Sequence, residues 1–148
     1  MKIIGFNITK IDAERKSAIK EKLEIKQNID VKNIEKSEVN ISNEESIKFD
    51  FKFSLQYNPN VAEILIEGSI LALDDKQESK EILKQWKKKK FTHPVKLVIF
   101  NFILDKCNLK ALQLEEELNL PKHIKLPRIT PQPDTNSNQN NNPANYAG

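Results

Sequence analysis

The sequence contains few of the residues on which disulfide frameworks, metal sites and phosphate loops depend. Its 148 residues include one cysteine, two histidines and three glycines. A single cysteine excludes an internal disulfide and any zinc site built from several cysteines. Gly5, Gly68 and Gly148 stand far apart, so the chain has no glycine-rich loop that could cradle a phosphate.

Long hydrophobic runs and a strong net charge are also absent. The longest apolar run, residues 95–104, is interrupted by Lys96 and Asn101 and is far shorter than the roughly 20 residues of a membrane span. Residues 1–11 alternate in polarity instead of forming the apolar centre of a signal peptide. The net charge of +3 arises from 24 basic and 21 acidic residues, a bias too weak to indicate nucleic-acid binding. We therefore expect a cytoplasmic protein that does not insert into a membrane.

Four segments alternate between apolar and polar residues with the period of a β-strand. These segments are residues 2–11, 23–31, 47–57 and 61–73. Asn58-Pro59-Asn60 favours a tight turn, which makes the third and fourth segments a hairpin. We predict a meander of about four antiparallel strands with a bulge at Gly68. The charged residues 12–22 fit either a loop or a helical turn.

Two helices are predicted after the sheet. Asp74-Asp75 is typical of a helix start, because an aspartate there accepts hydrogen bonds from the exposed amides, and the helix covers residues 76–90. Pro94 suits the first turn of a second, long helix that ends before Pro121. The main apolar stripe of this long helix contains Leu97, Phe100, Leu104, Cys107, Ala111, Leu114 and Leu118. Its first half is apolar nearly all round, so we expect a partner subunit or a client to cover the outer side.

These patterns predict an α+β fold, in which an antiparallel sheet of about four strands is followed by a short and a long helix packed on it. We assign residues 1–130 to a single domain. Residues 131–148 are rich in Asn and Pro and have no apolar period, so we predict a disordered tail.

No group of residues has the pattern of a catalytic or metal site. His93 and His123 each lie near a proline at a predicted helix boundary, which favours exposed loop positions. Cys107 lies on the apolar stripe and is expected to be a buried, unreactive thiol. Asp74-Asp75 fits a helix start, and Glu115–Glu117 fits a solvated helix face. We therefore predict a protein that is not an enzyme and that binds no cofactor or metal.

A lysine cluster is the one feature that suggests nucleic acid. The cluster comprises Lys84, Lys87, Lys88, Lys89 and Lys90. Trp86 and Phe91 lie beside it, and aromatic side chains next to cations suit single strands. The simpler interpretation is a lysine-rich helix end with Trp86 packed on the sheet, which is favoured because arginine is scarce and no RNA-binding motif is present. A nucleic-acid- or ribosome-associated binding module remains the alternative.

The order of these elements resembles the SecB family of export chaperones over residues 2–129. The segment FKFSLQYNPNVAEILIEGSILAL looks like the long central hairpin of that family, which is followed by two helices. The ending LKALQLEEELNLPKHIKLPRI looks like the end of its last helix with a short, proline-marked extension.

The resemblance implies a chaperone that holds non-native polypeptides in apolar grooves, with a role in protein export and a dimeric or tetrameric assembly. From the expected exposure of apolar side chains, we predict that Trp86, Phe91, Leu97 and Phe100 contact the polypeptide. An oligomeric scaffold is a further alternative. The sequence leaves the client, the translocation partner and the oligomer number open.

Overall fold

A computed structural model of the chain describes residues 1–19, 22–92 and 94–132. Strands β1 (Lys2–Arg15), β2 (Glu24–Lys36), β3 (Glu45–Asn58) and β4 (Ala62–Asp74) form one sheet. Helices α1 (Lys76–Lys87) and α2 (Val95–Glu117) follow, with α1 packed on β2 and β3 and α2 on β3 and β4. The structure confirms the predicted α+β class, with an antiparallel sheet followed by a short and a long helix.

The strand order is β1-β4-β3-β2, so only β2, β3 and β4 form a meander. β1 pairs with β4 at the far edge, with Phe6 opposite Ile70. β1 also extends through Arg15, which places the first four residues of the undecided segment 12–22 in a strand. After it, the backbone amides of Lys16 and Ser17 donate to the carbonyl of Val61, at 2.7 and 3.2 Å. The chain therefore begins its crossing toward β2 over the β3–β4 turn.

One face of the sheet forms the core, because the apolar residues of β3 all point toward the helices. Phe49, Phe53, Leu55 and Tyr57 have no exposed surface. Each such side chain contributes roughly 1.5–3 kcal/mol relative to an exposed one. The turn that joins β3 to β4 is confirmed at Pro59, whose peptide bond with Asn58 is cis.

Gly68 occupies a point of close contact inside the sheet. A Cβ atom there would collide with the backbone oxygen of Asn7 and would lie 2.9 Å from Cζ of Phe51. The rings of Phe6 and Phe51 stack with centroids 5.6 Å apart. The predicted bulge proves to be on the opposing strand, where the register shifts between Ile8 and Lys10. Because Gly68 has no side chain, it makes room for the rings of Phe6 and Phe51, which lie on the two strands next to β4.

The stripe that α2 turns toward the sheet shares Cys107 and Ala111 with the predicted stripe but differs from it elsewhere. The fully buried positions recur every four residues: Ile99, Ile103, Cys107, Ala111 and Glu115. Leu97 is 53% exposed, and Val98 and Leu109 are also exposed. A helix that is apolar nearly all round offers several overlapping stripes, and packing on the sheet selects one of them.

The start of α1 agrees with the predicted helix signal. Asp75 caps α1, and its carboxylate accepts a 2.8 Å hydrogen bond from the amide of Glu78. No helix of the described residues is both long enough and apolar enough to cross a membrane. The predicted disordered tail lies outside the described residues from position 133 onward.

Candidate functional site

An open groove lies where the edge strand β2 meets the end of α1 and the start of α2. Its volume is about 590 Å³. The lining residues are Asp30, Val31 and Lys32 from β2, Trp86, Lys89 and Phe91 from the end of α1 and the connection after it, and Lys96 and Phe100 from α2. The groove therefore combines three half-buried aromatic side chains with charged groups at its rim.

The floor of the groove is attached directly to the hydrophobic core. The ring of Phe91 lies 6.0 Å from that of Phe49 and 6.1 Å from that of Phe100, measured between centroids. The ammonium of Lys96 lies 5.3 Å from the centroid of Phe100, within the range of a cation–π contact. Because Phe49 is fully buried, Phe91 is held in place before any ligand binds.

The end of α1 brings these groups together by a reversal of the chain. The amide of Lys89 donates to the carbonyl of Trp86 at 2.8 Å, and the amide of Lys90 donates to that of Gln85 at 2.9 Å. This pair of bonds closes the helix in a Schellman motif, with Lys89 in the left-handed conformation at φ 56°. The reversal directs Phe91 back onto the core, which a longer helix through residue 90 would not allow.

Three of the four residues predicted to contact polypeptide line this groove. Trp86, Phe91 and Phe100 meet there, whereas Leu97 is exposed and does not line it. No observation tests whether these residues bind polypeptide, so that assignment remains a prediction.

The lysine cluster lies on the surface, but its members do not lie together in the groove. All five of its members are exposed. Lys89 lines the groove, and Lys90 lines a neighbouring cavity of about 90 Å³ beside Phe91. Lys84, Lys87 and Lys88 line neither. Nucleic-acid binding by this cluster likewise remains an untested prediction.

A buried polar cluster, formed by Tyr57, Glu115, His123 and Asn108, was missed by the sequence analysis. The carboxylate of Glu115 accepts hydrogen bonds from the hydroxyl of Tyr57 at 2.5 Å and from the amide of His123 at 2.8 Å. Nδ1 of His123 lies 2.6 Å from the same carboxylate, and Nε2 lies 2.9 Å from Oδ1 of Asn108. Gln27 of β2 also donates to Asn108, at 3.2 Å.

This cluster overturns two predictions. Glu115 was expected on a solvated helix face but has no exposed surface, and His123 was expected in an exposed loop but its side chain is 2% exposed. The physical reason is the same for both residues, because each satisfies the polar atoms of the other inside the fold. One sequence signal was available, since Glu115 continues the four-residue spacing of Ile99, Ile103, Cys107 and Ala111.

The buried cluster fastens the segment after α2 to the rest of the domain. Burial, followed by the hydrogen bond to Glu115, raises the pKa of the Tyr57 hydroxyl well above its ordinary range, so this group stays a donor. Both ring nitrogens of His123 face side-chain acceptors, so its ring has no free nitrogen for a substrate. The cluster therefore acts as a structural clamp that joins β3, α2 and the segment that follows α2.

Cys107 and His93 are the remaining residues that the sequence offered as candidates. Cys107 is buried as predicted, and burial raises the pKa of its thiol to about 12. His93 lies outside the described residues. Within the described ranges, no group of three or more His, Cys, Asp or Glu side chains could hold a metal ion. A wider cavity of about 930 Å³ is lined only by the segment after α2 and by no aromatic side chain.

No family model matches the chain, and no curated protein matches its sequence. Among solved structures, it is similar to a SecB-like chaperone of Mycobacterium tuberculosis in complex with a ChAD peptide from an antitoxin. The two sequences are 12% identical, with a TM-score of 0.48, and the match covers 88% of this chain and 92% of that chain. This likeness carries no ligand and no residue role over to the chain.

Proposed function

We propose that this protein is a non-enzymatic chaperone that holds non-native polypeptides. The observation that carries the proposal is the open groove in which Trp86, Phe91 and Phe100 converge beside an edge strand. Half-exposed aromatic side chains on a fixed floor offer apolar contact without demanding a particular sequence. Because β2 is an edge strand of the described sheet, its outer side also offers main-chain groups that an extended segment can use.

The groove can be tested directly, because Trp86 is the only tryptophan of the chain. Titration with an extended apolar peptide is expected to change the fluorescence of Trp86, and the protein is expected to suppress aggregation of a denatured client. An unchanged emission together with undiminished aggregation would contradict the proposal.

A pair of matched variants separates the groove from general surface effects. Trp86→Ala is expected to weaken peptide binding about tenfold or more, since burying one aromatic side chain contributes roughly 1.5–3 kcal/mol. Ile129→Ala is the control, because Ile129 is 92% exposed, does not line the groove and lies outside the exposed apolar surface of α2. Anisotropy of a labelled peptide measures both affinities, and equal losses in the two variants would count against the groove.

Self-association is the second part of the proposal. Leu97, Val98 and Leu109 leave exposed apolar surface on the outer side of α2. A second copy would cover this surface, and light scattering on the full chain is expected to give the mass of a dimer or tetramer. A monomer at micromolar concentration would contradict the proposed self-association but not the proposed role of the groove.

The alternative function is nucleic-acid binding through Lys84 and Lys87–Lys90. The same anisotropy assay can test it with a labelled oligonucleotide. The alternative requires affinity for an oligonucleotide that falls steeply with added salt, whereas apolar capture depends weakly on salt. Steep salt dependence, lost when Lys87 and Lys88 are replaced by Gln, would favour the alternative over the chaperone.

A further inference from the structure

The charged groups that line the groove are mostly positive. Lys32, Lys89 and Lys96 stand around it, against the single carboxylate of Asp30. Among the described residues, none of these four forms a salt bridge, whereas Lys16, Lys36, Lys48 and Lys122 all do. The groove therefore presents an excess of two positive charges that the fold itself does not neutralise.

These charges lie directly beside the apolar surface. Lys96 holds its ammonium 5.3 Å from the ring centroid of Phe100, and Lys89 follows Trp86 by three residues in the reversal that ends α1. A ligand that places an apolar side chain on these rings brings its neighbouring residues next to the ammonium groups. Charge on those neighbours is then felt at short range, where screening by salt is weakest.

Lys89 occupies a position that favours glycine. Its φ of 56° lies in the left-handed region, which costs a residue with a Cβ more than it costs glycine. Helix α2 ends in the same motif, but there Asn119, a residue that tolerates this region, has a φ of 51°. A lysine in a strained position that lines a groove suggests that its side chain serves the ligand.

We propose that the groove selects extended polypeptide segments in which acidic residues flank an apolar or aromatic residue. This inference rests on the proposed function and adds a charge preference to it. The apolar residue contacts Trp86, Phe91 and Phe100, and the flanking carboxylates face Lys32, Lys89 and Lys96. An acidic polypeptide fits better than a nucleic acid, because Asp30 opposes the continuous negative charge of a phosphate backbone.

Three peptides with one apolar core and Glu, Gln or Lys on both flanks test the preference on the full chain. The expected order of affinity is Glu, then Gln, then Lys, with about a tenfold difference between the first and last at low salt and a smaller one at high salt. If the Gln peptide binds but the Glu peptide binds no more tightly, the charge preference is overturned and the chaperone proposal survives. If none of the three peptides binds, the proposed function fails and this inference fails with it.

Variants of single lysines identify the source of the preference. Lys89→Gln and Lys96→Gln are each expected to lower the affinity for the Glu peptide severalfold while leaving that for the Gln peptide unchanged. Lys84→Gln is the control, because Lys84 is an exposed lysine of α1 that does not line the groove. Equal effects of Lys84→Gln and Lys89→Gln would overturn the assignment to the groove.

Lys89→Gly distinguishes a role in binding from a role in folding. Relief of the left-handed strain is expected to raise the melting temperature, while the affinity for the Glu peptide falls as in Lys89→Gln. A variant that is more stable and retains full Glu preference would overturn the role of Lys89. Tighter binding of a dT oligonucleotide than of the Glu peptide would overturn the choice of an acidic polypeptide.

Discussion

Replacing Glu115 by Ala should be among the most damaging substitutions at any charged residue of this protein. The fully buried carboxylate accepts hydrogen bonds from the hydroxyl of Tyr57 and the amide of His123, and it also lies against the His123 ring. Removal leaves all three groups buried without their acceptor. The neighbouring Glu116 is exposed, and within the described part of the chain its carboxylate pairs only with Lys122, which makes it a matched control one residue away.

The magnitude follows from the number of lost contacts and from their burial. Each buried polar group left without its partner costs about 1–3 kcal/mol, so Glu115→Ala, which leaves three such groups, should lower the free energy of unfolding by roughly 3 kcal/mol or more. Glu115→Gln preserves the packing and part of the hydrogen bonding, and should cost roughly 1.5–3 kcal/mol. Glu116→Ala should leave the free energy of unfolding nearly unchanged, as expected for an exposed ion pair.

Urea denaturation followed by Trp86 fluorescence measures the global effect, and limited trypsin digestion measures the local one. The segment after α2 contains Lys122, Lys125 and Arg128 as cleavage sites. Because Glu115 fastens this segment, cleavage there should accelerate in Glu115→Gln under conditions in which the domain stays folded. Equal stability of the Glu115→Ala and Glu116→Ala proteins, or global destabilisation without faster cleavage of the segment, would refute the clamp.

Three further predictions concern the sheet, α2 and α1. Gly68→Ala should cost more than about 3 kcal/mol in urea denaturation, because its Cβ would collide with backbone, whereas Gly5→Ala should stay within about 1 kcal/mol, since its Cβ would lie 3.4 Å from Leu71. The Cys107 thiol has its pKa raised from 9.0 to about 12, so its contribution to stability should be complete below pH 9 and lost as the pH rises toward 12, and Cys107→Ala should flatten that slope. Native Cys107 should also react with a thiol reagent far more slowly than in urea. Ser79→Ala should raise the unfolding free energy by about 0.5–2 kcal/mol, because the buried Ser79 hydroxyl has no hydrogen-bond partner among the residues that the structure describes, and a loss of stability would show that it has one.

Part of the candidate site was predictable from the sequence. Trp86 and Phe91 stand next to a lysine run, and Phe100 lies on an apolar helix half, so exposure of aromatic surface could be expected. The contribution of Asp30 and Lys32 could not, since no periodic pattern relates a strand to a helix end more than 50 residues later. Leu97 was placed in the site because the sequence could not distinguish the outer side of α2 from its groove side.

Local features of the fold followed from the sequence alone. The two-residue period indicated four strands and the buried faces of β2, β3 and β4, and Asp75 and Pro94 marked the starts of the helices. These features depend on interactions within a few residues along the chain, so the sequence contains them directly.

Only the tertiary structure decided which elements became neighbours. It paired β1 with β4, chose the stripe through Ile99 and Cys107 as the inner side of α2, and buried Glu115 against His123. Alternation determines the face of a strand but not its partner, and a charged side chain is buried when distant residues supply its hydrogen bonds. The sequence by itself determined the elements and the buried faces of most strands, while packing between distant segments decided the strand order, the inner side of α2, the clamp and the groove.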